Sequence, residues 1–158
     1  MILYHGSNVA VKQVDLARCK PDKDFGRGFY LTDILQQAEQ MALRRTRIMG
    51  AGTPVISRFE FDEALLAADG LNVKIFERPS EEWALFVLRN RESSATGFKH
   101  GYDIVIGPVA DDGVVYQLER YTHGIITLEK LTEELTFRNL NRQYYFGTKR
   151  AITKLLPV

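Results

Sequence analysis

The sequence predicts an α+β domain, because period-2 apolar segments and helix-period segments are interspersed along a chain of 158 residues that is 45% apolar. A chain of this size buries roughly 70% of the surface its unfolded form exposes, which is enough for one core. Residues 1–158 are therefore expected to form a single domain. No internal repeat divides them, and the one linker-like stretch, Gly50-Ala51-Gly52-Thr53-Pro54, is too short to separate domains.

The elements follow in order. Ile2 to Ser7 reads as a strand. Phe25 to Thr32 reads as a second strand that feeds a helix: Asp33 with Gln36 makes a capping-box pattern, and Leu35, Ala38, Met41 and Ala42 recur at helical spacing. Val55 to Phe61 and Leu71 to Ile75 alternate and carry β-branched residues, as half-buried strands do. Ser80 caps a helix whose Glu81 and Glu82 suit its positive first turn, with Trp83, Phe86, Val87 and Asn90 along the core-facing stripe. Tyr102 to Pro108 is a short apolar strand. Asp111-Asp112 opens a helix that Gly124 ends, and Leu128, Leu131 and Leu135 mark another. Gln143 to Phe146 is the last strand, and Thr148 caps a closing helix through Ile152 and Leu155 before Pro157.

Composition narrows the functions. Lys plus Arg (21) nearly balances Asp plus Glu (20), so a net charge of +1 exerts no long-range pull on DNA or an anionic membrane. The single Cys19 excludes an intramolecular disulfide and a cysteine-rich zinc site, and fits a reducing compartment. Apolar runs are far shorter than the ~20 residues of a membrane span, and no basic-then-apolar leader opens the chain. A soluble, cytoplasmic protein with no membrane partner is expected.

Three distant segments each hold a polar group in an apolar frame beside glycine or aromatic residues: Ile2-Leu3-Tyr4-His5-Gly6-Ser7, Phe25-Gly26-Arg27-Gly28-Phe29-Tyr30-Leu31-Thr32 and Gln143-Tyr144-Tyr145-Phe146. Glycine lets backbone approach a flat ligand, so the three read as one small-molecule site assembled by folding. Gly26-Arg27-Gly28 is no dinucleotide fingerprint, since Leu31 holds the third glycine position and the glycines precede a strand. There is no Walker loop and no Gly-x-Ser-x-Gly elbow, and His5, His100 and His123 lack metal-ligand spacing, so no metal is expected. Trp83 and Cys19 are expected to be passive. Asp111 and Asp112 read as helix-capping residues, and Arg44, Arg45 and Arg47 as a solvated basic turn.

The three segments in this order resemble the ADP-ribosyltransferase superfamily, with a histidine early in the fold, a tyrosine on a later strand and usually a glutamate near the end. Closer still is the resemblance to an uncharacterised bacterial family within that superfamily, carried by Asp24 to Thr32, Tyr102 to Asp111 and Asn141 to Thr148. The resemblance implies two packed, mainly antiparallel sheets with flanking helices around an NAD cleft. It implies NAD⁺ as co-substrate, with His5, Tyr30 and Gln143 as the catalytic set. Tyr30 would stack on nicotinamide, the backbone of Gly6 would grip its carboxamide, and His5 with Ser7 would meet the adenosine ribose. Arg18 or Lys20 would meet the diphosphate, and Gly28 and Phe29 would complete the lining. Gln143 stands where the superfamily usually carries glutamate, so it supplies an acceptor without charge, and Gln143→Glu is expected to raise NAD⁺ cleavage. Ala38 and Met41 replace the serine and aromatic of polymer-forming relatives, which implies transfer of a single ADP-ribose to a macromolecular acceptor, protein or nucleic acid. A toxin–antitoxin setting with a small antitoxin partner is also implied. The alternatives are a weak or inactive NAD-binding module and an interaction protein.

Overall fold

Alternation of apolar residues sorts the strands into two sheets. The computed structural model describes residues 1–68 and 70–158. Along the chain run β1 (Ile2–Ser7), a 3-10 turn (Leu16–Arg18), β2 (Phe29–Leu31), α1 (Leu35–Met49), β3 (Val55–Glu60), a second 3-10 turn (Glu63–Leu66), β4 (Val73–Ile75) and α2 (Glu81–Arg91). Then come α3 (Ser93–Thr96), β5 (Ile104–Pro108), α4 (Asp112–Thr122), α5 (Leu128–Thr136), β6 (Arg142–Phe146), α6 (Lys149–Ile152) and β7 (Leu156–Pro157). One sheet has the order β1-β3-β7 and the other β2-β6-β5-β4; only the β4–β5 pair is parallel among the described ladders.

Leu3 and Phe59 of the first sheet and Phe29, Leu31, Ile104, Ile106, Tyr144 and Phe146 of the second form one core cluster between the sheets. The other face of the four-stranded sheet presents Val105 and Tyr145 to Trp83 and Val87 of α2, Val114 and Leu118 of α4, and Leu131 and Leu135 of α5. The fold is thus α+β, two sheets with helices on the outside.

Several elements depart from the sequence reading. The predicted strand Phe25 to Thr32 shrinks to Phe29–Leu31, because Gly26 takes φ +87° and folds the first half into a loop. Helix α1 is not capped by Asp33: the Thr32 hydroxyl accepts from the Ile34 N–H at 3.1 Å and donates to Gln37 at 2.9 Å. Its core stripe is Ala38 and Ala42 alone, while Leu35 and Met41 are exposed. The closing helix stops at Ile152, and the chain turns into β7, which pairs with β3.

Asp103, at the start of β5, ties one end of the second sheet. Its carboxylate is buried and accepts from the Asn72 N–H at 2.7 Å, the Thr148 hydroxyl at 2.6 Å, and Arg150 at 2.6 and 2.8 Å. Arg150 foremost holds its pKa down to about 2, against the cost of its own burial.

Candidate functional site

The two sheets meet at one isolated bridge, where Tyr4 and Thr32 exchange hydrogen bonds at 2.8 and 2.9 Å. Beyond it β1 and β2 part. Tyr4 turns its N–H and C=O to Thr32, and Met1 turns its C=O to Phe61 of the other neighbour. The alternation of an antiparallel ladder then points the N–H and C=O of Gly6 away from β3, toward the side on which Tyr30 lies. Instead of a backbone bond across the gap, His5 Nδ1 donates to the Tyr30 carbonyl at 2.8 Å. A carbonyl only accepts, so Nδ1 carries the proton and Nε2 of the neutral ring is an acceptor. Burial, then the Arg45 charge, lower the His5 pKa, while the Tyr30 bond opposes them.

Pairing also fixes the faces. Side chains directly opposite in a ladder leave the same side, so Tyr4, Gly6, Thr32 and Tyr30 share one face. Gln143 shares it through the register of β2 and β6, in which Tyr30 faces Tyr145. His5 and Ser7 leave the opposite face, where His5 packs on Phe29 with ring centroids 4.4 Å apart. The predicted set is therefore split: Gly6, Tyr30 and Gln143 on one side of the parting strands, and His5, Ser7 and Phe29 on the other.

On the first face α1 lies directly on β1. A Cβ on Gly6 would overlap the Ala38 carbonyl oxygen and come within 2.8 Å of the Ala42 nitrogen, so glycine is required for this approach as well as for any ligand. Tyr30 is half-buried, and its hydroxyl clamps the preceding loop, accepting from the Phe25 N–H at 2.9 Å and donating to the Gly26 carbonyl at 2.7 Å. Its ring meets Tyr145 at 5.3 Å, edge to face. Desolvation foremost pushes the phenol far above its usual pKa, so it stays protonated. Gly28 makes room for Tyr145, whose ring a Cβ there would overlap. Phe29 is a core residue.

Gln143 is held rigidly. Its amide nitrogen donates to Asp24 at 2.9 Å and to the Pro108 carbonyl at 3.1 Å, while its carbonyl oxygen carries no hydrogen bond among the described residues. Asp24 is buried, receiving Arg91 through two bonds at 2.6 and 3.0 Å and the Ala110 N–H at 3.0 Å. This network of Asp24, Arg91 and Gln143 had no signal in the sequence, because its members are far apart and none forms a motif with another.

A basic cluster joins Lys20, offered above for a diphosphate, to Lys23 and to Arg45 of the basic turn. Lys23, exposed overall, has a lowered pKa, first from partial desolvation of its ammonium and then from the like charges of Lys20, Arg45 and Arg91, with Asp24 opposing. Arg45 also acts on His5, so the cluster adjoins the His5 end of the strand parting. Arg45 is half-buried, unlike the exposed Arg44 and Arg47 beside it. Arg18 instead is exposed and lies 3.7 Å from Asp15. Ser7 is buried, and its hydroxyl is 3.4 Å from the Asn8 side chain. Burial foremost raises the Cys19 pKa, which keeps it a thiol.

Among the described residues no group of three or more His, Cys, Asp or Glu is placed to hold a metal, and no helix is long and apolar enough to cross a membrane. A family described as a protein of unknown function, DUF3990, matches residues 1–156. No curated protein and no solved structure matches the chain.

Proposed function

Since the chain belongs to the DUF3990 family, whose description assigns no activity, we propose a function from the site itself: NAD⁺ binds where β1 and β2 part, and one ADP-ribose unit passes to a macromolecular acceptor. The observation that carries this reading is the placement of Gly6 opposite Tyr30 across the parting, with the Gly6 N–H and C=O directed into it. A carboxamide needs one donor and one acceptor, and those two groups are such a pair. The Tyr30 ring supplies an aromatic surface for a flat cation, worth about 1–2 kcal/mol. His5 Nε2 accepts from a ribose hydroxyl, and the gathered positive charge of Lys20, Lys23 and Arg45 suits a diphosphate better than Arg18 does.

In the step itself the bond between ribose C1′ and the nicotinamide nitrogen breaks, its electron pair leaving on nicotinamide. The acceptor nucleophile bonds to C1′ and gives up its proton to water. Gln143 offers its carbonyl oxygen to the ribose hydroxyl as charge develops, without the full charge of a carboxylate. The commitment of its amide to Asp24 favours a second reading, a module that holds NAD⁺ with little turnover.

Incubation with NAD⁺ separates the two. Nicotinamide release that falls in His5→Ala and Tyr30→Ala supports transfer or hydrolysis. A cofactor-dependent rise in melting temperature without release supports the binding module. Neither release nor a thermal shift removes NAD⁺ from the account.

A further inference from the structure

A cleft of about 710 Å³ lies apart from the strand parting, between the end of β4, one side of α2 and the segment 98–102. None of the residues discussed above as the NAD⁺ site lines it. Its walls carry four partly exposed rings, Phe86, Phe98, His100 and Tyr102. Three of these are ordered by contact: Phe86 lies 5.1 Å from His100, and His100 stacks on Tyr102 at 5.4 Å with 27° between planes. His100 is fixed as a neutral ring, donating from Nε2 to the Phe25 carbonyl at 2.8 Å and accepting at Nδ1 from the Tyr102 N–H at 2.9 Å.

The rim is charged. Lys74 is paired with Glu82 at 2.5 Å, which leaves Arg89 and Lys99 against Glu81. Arg89 and Lys99 are exposed and have no carboxylate within salt-bridge distance among the described residues. Flat rings inside and uncommitted cations at the mouth match a ligand with a π-face and an anionic backbone. The cleft is open, as a strand passing through requires, and it is too shallow in cations to grip a duplex by charge alone.

We propose that this cleft binds single-stranded nucleic acid, with a base stacked among Phe98, His100 and Tyr102 and the adjoining phosphates on Arg89 and Lys99. Binding needs no NAD⁺, so it stands or falls separately from the transferase reading.

The test is fluorescence anisotropy of labelled 20-nucleotide mixed-sequence RNA and DNA single strands with the full chain, titrated at two salt concentrations. Saturable binding of either strand is expected, and the preferred one identifies the sugar that is read. Phe98 belongs to neither core cluster, so Phe98→Ala removes a stacking ring without emptying the interior. It should weaken binding about 10-fold. Arg89→Glu and Lys99→Glu should each weaken it and lower the salt slope by about one. Arg47→Glu on α1 should change nothing. Three results overturn the proposal: no binding at low salt, equal loss in Arg47→Glu, or full affinity in Phe98→Ala.

Discussion

Gln143 shows how one side chain changes meaning once its neighbours are known. From the sequence it is a glutamate's place filled by an amide, and the obvious repair is Gln143→Glu. In the fold its nitrogen sits 2.9 Å from Asp24 and 3.1 Å from the Pro108 carbonyl, both acceptors, so a carboxylate there would face two oxygens with nothing to donate. Gln143→Glu is predicted to lose about 1–3 kcal/mol of stability at neutral pH, read from urea unfolding. Adding Asp24→Asn removes the negative charge that would face the new carboxylate and should restore part of that loss. Undiminished stability in the single variant would show that the Asp24 contact contributes nothing. A gain in NAD⁺ cleavage is therefore sought in the double variant. Glycine and aromatic neighbours singled out His5, Gly6 and Tyr30 in the sequence, and the close approach found at Gly6 is that of α1. The convergence of Lys23 with Arg45 was not legible there, since their charges meet only after α1 has been laid across β1.

At the scale of elements, strands and helix starts were the legible part. Ser80, Asp111 and Thr148 each cap the helix that follows them, accepting from Trp83, Val114 and Ala151. Helix α1 was expected after Thr32, but only Ala38 and Ala42 of its predicted stripe are buried. Periodicity offered Leu35 and Met41 to the core, yet the partner is Gly6, and only alanines are small enough where a helix backbone touches a strand backbone. Gly6→Ala is accordingly predicted to cost about 1–3 kcal/mol by overpacking, because the rigid atoms it meets are backbone. Gly50→Ala provides the comparison: it has open space around it, and only its left-handed φ of +62° resists, at about 1 kcal/mol. Equal midpoints for Gly6→Ala and wild type in urea would mean that α1 does not rest on β1 as described. Short terminal pieces such as β7 escaped because two residues carry no period.

For the whole molecule, stability should follow three titrations. His5 and His100 both have lowered pKa values, chiefly through burial, so they stay neutral in the fold while the unfolded chain takes up protons near pH 6.5. Melting temperature should thus be highest above that pH and fall on acidification toward their folded values. Asp103 adds a second decline: its stabilisation is complete above its unfolded value of 3.8 and is lost as pH falls through about 2. Asp103→Ala should lower stability at pH 7 by about 2–4 kcal/mol and flatten the lower decline. A melting temperature constant from pH 7 to 5 would contradict the histidine assignments. The fold class was legible because segments of two periods alternate along the chain. The way the sheets separate was not, since a single pair of residues, Tyr4 and Thr32, decides it. Those two amides are the stitches of a mouth, and in deuterated solvent their protons will exchange at the rate at which it gapes. Whatever molecule fills the opening must slow that exchange, which makes residues 4 and 32 a built-in gauge of occupancy that needs no turnover to be read.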